Sequence, residues 1–184
     1  MNTYEATELL AAVTRREEPR RTPEAQLDAA EDRETIRDLI MRYGYLEDAR
    51  RWDDMLALYT DDIERVLAGS LVERVQGKAA LRERLFRPVM VSTAGQVGAA
   101  QAELDRLGLR HLMASDVIRL SDDGTHAVAA VQYTMVATRD DEQGFRRGSH
   151  EGSYVFEFRK AAGTWKFCRQ VIITDNAHNP MFRR

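Results

Sequence analysis

Residues 42–62, RYGYLEDARRWDDMLALYTDD, decide how the chain is read. Just upstream, Ile36, Leu39, Ile40 and Tyr43 recur at i, i+3, i+4 and i+7, the spacing of one apolar helix face. Thr22-Pro23-Glu24-Ala25 supplies a start, with threonine at the N-cap and proline at the first helical position. A helix is therefore predicted from about Pro23 to Ala49. Within the quoted stretch, Trp52, Met55, Leu56 and Tyr59 again have helical spacing, and Thr60-Asp61-Asp62 ends that second helix. Two helices thus meet at a short junction, and Asp48 falls on it.

Working outward, Ile63–Ala68 reads as a short strand, Gly69-Ser70 as a turn, and Gly77-Lys78-Ala79-Ala80-Leu81 as the opening of a third helix that stops before Pro88. Residues 88–108 hold Gly95, Gly98 and then AAQAELDRLG, which suits a short helical lid over a site. From Arg110 the period changes to two. Four strands are predicted at His111–Leu120, Thr125–Arg139, His150–Lys160 and Thr164–Thr174, with turns at Asp122-Asp123-Gly124 and Ala161-Ala162-Gly163. Short connections favour an antiparallel meander, and helices followed by strands argue for an α+β class. Residues 1–24 are polar and end in RREEPRRTPE; they read as a flexible, partner-binding arm with one short helix near Tyr4–Val13. The expected division is this extension, one domain over 25–178, and a tail at 179–184.

A chain of 184 residues suits one domain with a core of its own, and 43% hydrophobic with 31% charged residues is ordinary for a globular protein. The formal charge of −3 offers no footprint for nucleic acid, and acids flank most of the arginine-rich stretches, which read as solvated faces. The single cysteine, Cys168, excludes an intramolecular disulfide and a cysteine-rich metal site; it reads as a buried filler. MNTYEATELL carries Glu5 and Glu8 where a secretory signal is basic, and no run approaches the ~18 apolar residues of a membrane span. A cytoplasmic protein with no membrane partner is expected. Four scattered histidines without metal-ligand spacing, and no glycine-rich phosphate loop, lead to the expectation of no metal and no cofactor.

Three stretches, taken in order, resemble the nuclear transport factor 2-like (SnoaL-like) family. RYGYLEDARRWDDMLALYTDD is similar to its first-to-second helix junction, RHLMASDVI to the strand that opens on an inward histidine, and EGSYVFEFRKAAGTWKFCRQVIITD to its terminal hairpin. The resemblance covers about residues 30–175, omitting most of 88–108. It implies a cone: a curved, mostly antiparallel sheet wrapped by N-terminal helices around one pocket. The family includes scytalone dehydratase, a bile acid dehydratase, hexachlorocyclohexane dehydrochlorinase, polyketide cyclases and ketosteroid isomerase-like proteins, and it is similar to the non-catalytic small subunits of ring-hydroxylating dioxygenases. Homodimers or homotrimers through the exposed sheet face are implied as well. Function must then rest on the pocket residues.

By resemblance, Asp48 falls on the pocket aspartate and His111 on the histidine of the facing strand. An imidazole moves protons near neutral pH, and a neighbouring carboxylate fixes its tautomer and stabilises the imidazolium. On local grounds alone, Asp48 serves equally as a cap of the Trp52 helix, and His111 as a core histidine. Tyr43, five residues before Asp48, has the spacing of the bile acid dehydratase tyrosine; Tyr45, at i−3, is expected to share the face of Asp48. Either phenol suits donation to a departing oxygen, and either also suits packing. Met113, Met135 and Tyr154 are expected to line an apolar cavity for a small hydrophobic substrate.

The departures count too. Scytalone dehydratase has a second pocket histidine on the next strand, but QYTMVATR holds none. Where several relatives have arginine five residues after the terminal-strand tryptophan, Trp165 is followed by Gln170, expected as a neutral hydrogen-bonding residue. Alternation puts Gln170 with Cys168 and Ile172 on one face, and Arg169 with Phe167 on the other. His126 and His178 read as surface residues; His150, at the mouth of its strand, reads as an exposed loop histidine, with a place at the pocket entrance as the alternative. The expected activity is a cofactor-independent elimination of dehydratase type on an oxygenated aromatic or alicyclic substrate. An isomerase or cyclase with the same pair of residues, or a non-catalytic small subunit, is the alternative.

Overall fold

The computed structural model describes residues 3–15, 17, 21–68, 73–86, 107–141 and 144–175. In chain order the elements are α1 (Thr3–Arg15), α2 (Pro23–Asp48), α3 (Trp52–Ala57), β1 (Tyr59–Ala68), β2 (Glu73–Gln76), α4 (Lys78–Phe86), β3 (Leu107–Leu120), β4 (His126–Asp141), β5 (Gly144–Ala161) and β6 (Thr164–Thr174). The strands form one open sheet in the order β2-β1-β6-β5-β4-β3. Every neighbouring pair is antiparallel except β1 with β6. This is the α+β arrangement the sequence predicts. Most of the expected lid (residues 88–106), the tail and His178 lie outside the described residues.

Local signals set the ends of α2. The Thr22 hydroxyl accepts a hydrogen bond from the Ala25 N–H at 3.3 Å, and Pro23 sits in the first turn, where its missing N–H costs nothing. The helix stops because Arg50 takes a left-handed backbone (φ 52°), and the Arg51 N–H closes back on Leu46 at 2.8 Å. The second helix is shorter than predicted. Tyr59 opens β1 because it pairs with Phe167, whose N–H bonds the Leu58 carbonyl at 3.0 Å; that pairing outweighs the helical spacing. β2 was not predicted, since four residues are too few to display an alternation.

One face of the sheet is concave and packs on α2. Ile36, Leu39, Ile40 and Tyr43 bury there against Tyr59, Val131, Tyr133, Tyr154, Phe156, Phe158, Phe167 and Ile172. The other face carries Val66, Ala68, Ala130, Val155, Val171 and Ile173, and α1 covers it with Ala6, Leu9, Leu10 and Val13. The stretch read as a free arm is, over residues 3–15, a docked helix, and part of the sheet face expected to form oligomers is covered by it.

Alternation breaks at one place that matters. β5 and β6 pair Glu157 with Arg169 but Phe158 with Phe167, leaving Cys168 as an extra residue in a bulge. Phe167 and Gln170 therefore both belong to the concave core, contrary to strict alternation, while Cys168 lies near Leu9, Ala12 and Val13 on the α1 side. Arg169 does turn outward, to Glu64 and Glu157, each at 2.8 Å.

Candidate functional site

The site forms where the last turn of α2 meets the concave face. Helix geometry decides which side chains arrive. Glu47 lies one i,i+4 step beyond Tyr43 and so continues the buried stripe. Tyr45 is turned about 200° from Tyr43 at 3.6 residues per turn. It is 76% exposed, so the expectation that it shares the site with Asp48 is corrected: Tyr45 neighbours Asp48 along the helix, but on its solvent side. Gly44 lets α2 approach β3. A Cβ there would stand 3.3 Å from the Met113 Cε and 3.5 Å from the His111 Cβ.

β3 is the last of the described strands on its side of the sheet, so backbone groups on its outer side have no strand partner among the described residues. The His111 N–H finds the Asp48 carboxylate instead, at 3.0 and 3.1 Å. The His111 Nδ1 lies 2.7 Å from Asp48 Oδ1. Both side chains are nearly sealed from solvent, at 3% and 6% exposed, where an ion pair or charged hydrogen bond is least screened. The other ring nitrogen, Nε2, faces Glu47 Oε2 at 3.7 Å, and the Glu47 Oε1 stands 3.9 Å from Arg65 Nη2. Glu47 and Arg65 were missed in the sequence. The available signals were the i,i+4 step from Tyr43 and the placing of two acids at a helix C-terminus, the end where the dipole disfavours them. Local rules broken in this way tend to mark function.

The register lays out the remaining lining. His111, Met135 and His150 pair in one row across β3, β4 and β5, and Met113, Tyr133, Gly152 and Thr174 form the next row across β3 to β6. Met113 and Met135 are half-buried against the core; Tyr154 is buried, stacked on Tyr133 at 4.3 Å and edge-on to Tyr43 at 5.7 Å. His150 falls in a strand, as predicted, but it is half-buried in this row instead of exposed, because β5 already runs from Gly144. Its Nδ1 is 3.1 Å from the Tyr133 hydroxyl. Burial lowers its pKa below 6.5, with Glu151 opposing and His111 adding to the shift. His126 is exposed, as expected.

Deeper in the cone, Gln170 is fully buried and pairs in register with Arg65. Its Oε1 accepts from the Tyr59 hydroxyl at 3.1 Å, while its Nε2 has no partner among the described residues. Among the described residues Glu47 Oε2 is also buried without a hydrogen-bond partner, and the Tyr43 hydroxyl has only the Tyr154 phenol beside it. Burial, and then the charge of Glu47, hold the Tyr43 and Tyr154 phenols well above the ordinary tyrosine range, so both are donors at neutral pH. Burial raises Tyr133 as well, partly offset by a hydrogen bond involving Thr174. An amide N–H and a carboxylate oxygen without partners among the described residues, with the Tyr43 phenol, are groups able to pair with an oxygenated molecule. Among the described residues, no group of three or more His, Cys, Asp or Glu has the arrangement to hold a metal. No described helix is long and apolar enough to cross a membrane.

A long helix packed on one face of an open, mostly antiparallel sheet, with polar groups where they meet, defines the class as α+β. The chain belongs to the SnoaL-like domain family, which matches residues 28–171. Solved structures agree on the fold. An NTF2-like protein with a cystatin-like fold from Novosphingobium aromaticivorans is 22% identical, over 88% of this chain and 94% of that one, with a TM-score of 0.61. A candidate scytalone dehydratase from the same organism is 19% identical, over 83% and 89%, with a TM-score of 0.61. A type 2 hexachlorocyclohexane dehydrochlorinase is 14% identical, over 82% and 90%, with a TM-score of 0.62. No curated protein matches the chain.

Proposed function

We propose that the protein is a cofactor-independent lyase that eliminates water, or a similar leaving group, from a small hydrophobic, oxygenated alicyclic or aromatic compound. The observation that carries this reading is the 2.7 Å contact between Asp48 Oδ1 and His111 Nδ1, braced by the His111 backbone N–H on the same carboxylate. A carboxylate held there fixes the proton on Nδ1 and leaves Nε2 free to take one from carbon. Burial of the pair supports the same reading, because charge separation in a dry site is stabilised by fixed groups, not by water. Tyr43 or Tyr154, protonated at neutral pH, donates to the substrate oxygen. Met113 and Met135 supply apolar contact, and Gln170 offers its unpartnered amide N–H.

The test is a panel of cyclic β-hydroxy ketones followed by the ultraviolet absorbance of the enone product, with wild type, Asp48→Asn and His111→Gln. Turnover by wild type that falls at least about 100-fold in either variant is expected, a general acid–base group contributing roughly 10²–10⁴-fold. Turnover indifferent to His111→Gln contradicts the proposal. No turnover, together with co-purification of a larger oxygenase subunit, puts the non-catalytic reading in its place.

A further inference from the structure

His150 takes no part in moving a proton from carbon, yet the register sets it in one row with His111, on either side of Met135. Two strand spacings separate the two histidines, roughly 10 Å between their backbones, which leaves room for a small ring and its substituents. Met135 and His150 are both half-buried, so solvent reaches this row.

The hydrogen bonds at Nδ1 give the two rings opposite outer edges. A carboxylate only accepts, so Asp48 keeps the His111 proton on Nδ1 and leaves Nε2 bare. His150 Nδ1 instead meets a phenol: the Tyr133 hydroxyl lies 3.1 Å away, and burial keeps it protonated at neutral pH. Tyr133 also shares a hydrogen bond with Thr174, which lies beyond Gly152 in the same row. With the Thr174 hydroxyl donating to the phenol oxygen, the phenol gives its own proton to Nδ1, and the His150 proton stands on Nε2. Burial lowers the pKa of this ring below 6.5, His111 adding to the shift and Glu151 and Asp175 opposing it, so the ring is neutral above that pH. Gly152 makes room for the arrangement. A Cβ there would stand 3.0 Å from the Tyr133 hydroxyl and 2.0 Å from the Ile173 carbonyl oxygen.

We propose that His150 is a further catalytic residue, whose Nε2–H donates a hydrogen bond to a carbonyl oxygen of the substrate. The inference rests on the reading of His111 as the base that takes a proton from the neighbouring carbon, and it narrows the substrate to a β-hydroxy carbonyl compound. As His111 Nε2 takes that proton, the C–H pair forms the enolate C=C bond and the carbonyl π pair moves onto oxygen. The carbonyl then re-forms, the enolate C=C pair shifts to the α,β position, and the β C–O bond breaks with its pair on the departing oxygen. That oxygen takes the proton from the His111 imidazolium and leaves as water, which returns His111 to its starting form. His150 keeps its proton throughout. A neutral donor fixed in place stabilises the enolate oxygen without having to reorient.

The experiment uses the intact protein, ¹⁵N-labelled at histidine and mildly alkaline, with cyclohex-2-enone carrying ¹³C at its carbonyl as the probe. Each variant is checked for a native amide spectrum. His150 in wild type is expected to carry its proton on Nε2, a preference that Tyr133→Phe should weaken. Saturating enone should move the His150 Nε2 signal, and its own carbonyl carbon should shift downfield. His150→Leu should abolish that carbonyl shift, and His150→Gln, which still offers an amide N–H, should restore it. In turnover of a cyclic β-hydroxy ketone, His150→Leu should lower kcat about 100-fold, with KM changing far less. An Nδ1–H ring in wild type, a His150 signal that ignores the enone, or a carbonyl shift untouched by His150→Leu overturns the proposal. His111→Gln separates the two readings: if turnover survives it while the His150-dependent carbonyl shift persists, the base reading fails and the carbonyl donor stands.

Discussion

The two faces of the sheet are covered by helices in opposite ways. On the outer face, α1 lays Ala6, Leu9, Leu10 and Val13 on Val66, Ala68, Ala130, Val155, Val171 and Ile173, and the nearby Arg169 is ion-paired to Glu64 and Glu157. On the concave face, α2 brings Tyr43 and Glu47 against tyrosines and Gln170 and leaves a carboxylate oxygen and an amide nitrogen without partners among the described residues. Purely aliphatic contact needs no ligand to complete it. Buried unmet polar atoms carry a desolvation penalty, and a fold retains them where something else will pair with them.

The comparison can be broken by substitutions on either side. The largest effect is expected for Tyr43→Ala, which empties a fully buried aromatic site and should cost about 3–5 kcal/mol in urea unfolding. Ala6→Asp buries a charge under α1 and should cost about 1–3 kcal/mol by the same measurement. It should leave the His111 NMR signals where they were; a shift there would mean that the two faces are coupled. Tyr43→Phe should change stability by no more than about 1 kcal/mol, because among the described residues the hydroxyl has only the Tyr154 phenol to lose. A large loss would show that the hydroxyl is structural, not kept for a ligand.

The smallest effect concerns pH. Burial lowers the His150 pKa below 6.5, so the unfolded chain binds that proton more readily than the folded one. Its contribution to stability is complete above the unfolded pKa and is lost as pH falls through the lower folded value. His150→Gln should flatten that acid-side slope in unfolding measured across this window. An unchanged slope would mean that His150 is not shielded at the mouth of the site.

Much of this was legible in the sequence wherever a period ran long enough. Ile36, Leu39, Ile40 and Tyr43 announce α2, and the two-residue period announces β3 to β6. The same α2 period, carried one step further, reaches Glu47, but a carboxylate on an apolar stripe invites no notice without the sheet opposite it. Ala6, Leu9, Leu10 and Val13 also have helical spacing, yet what they cover is set by β1, β4, β5 and β6, far away in sequence. His150 opens a predicted strand, but the neighbours it meets there are set by the β4–β5 register. The bulge at Cys168 reversed an alternation that is otherwise reliable. Contacts and bulges of this kind are settled by the sheet as a whole.

The pairing of Asp48 with His111 is tested most directly by ¹⁵N NMR of the His111 imidazole in its neutral form, in wild type and in Asp48→Asn. The account predicts that wild type carries its proton on Nδ1. In Asp48→Asn the amide oxygen should keep the His111 backbone N–H while the amide NH₂ turns to Nδ1, driving the ring to the Nε2–H tautomer. An Nε2–H ring in wild type, or a tautomer indifferent to the substitution, would contradict it.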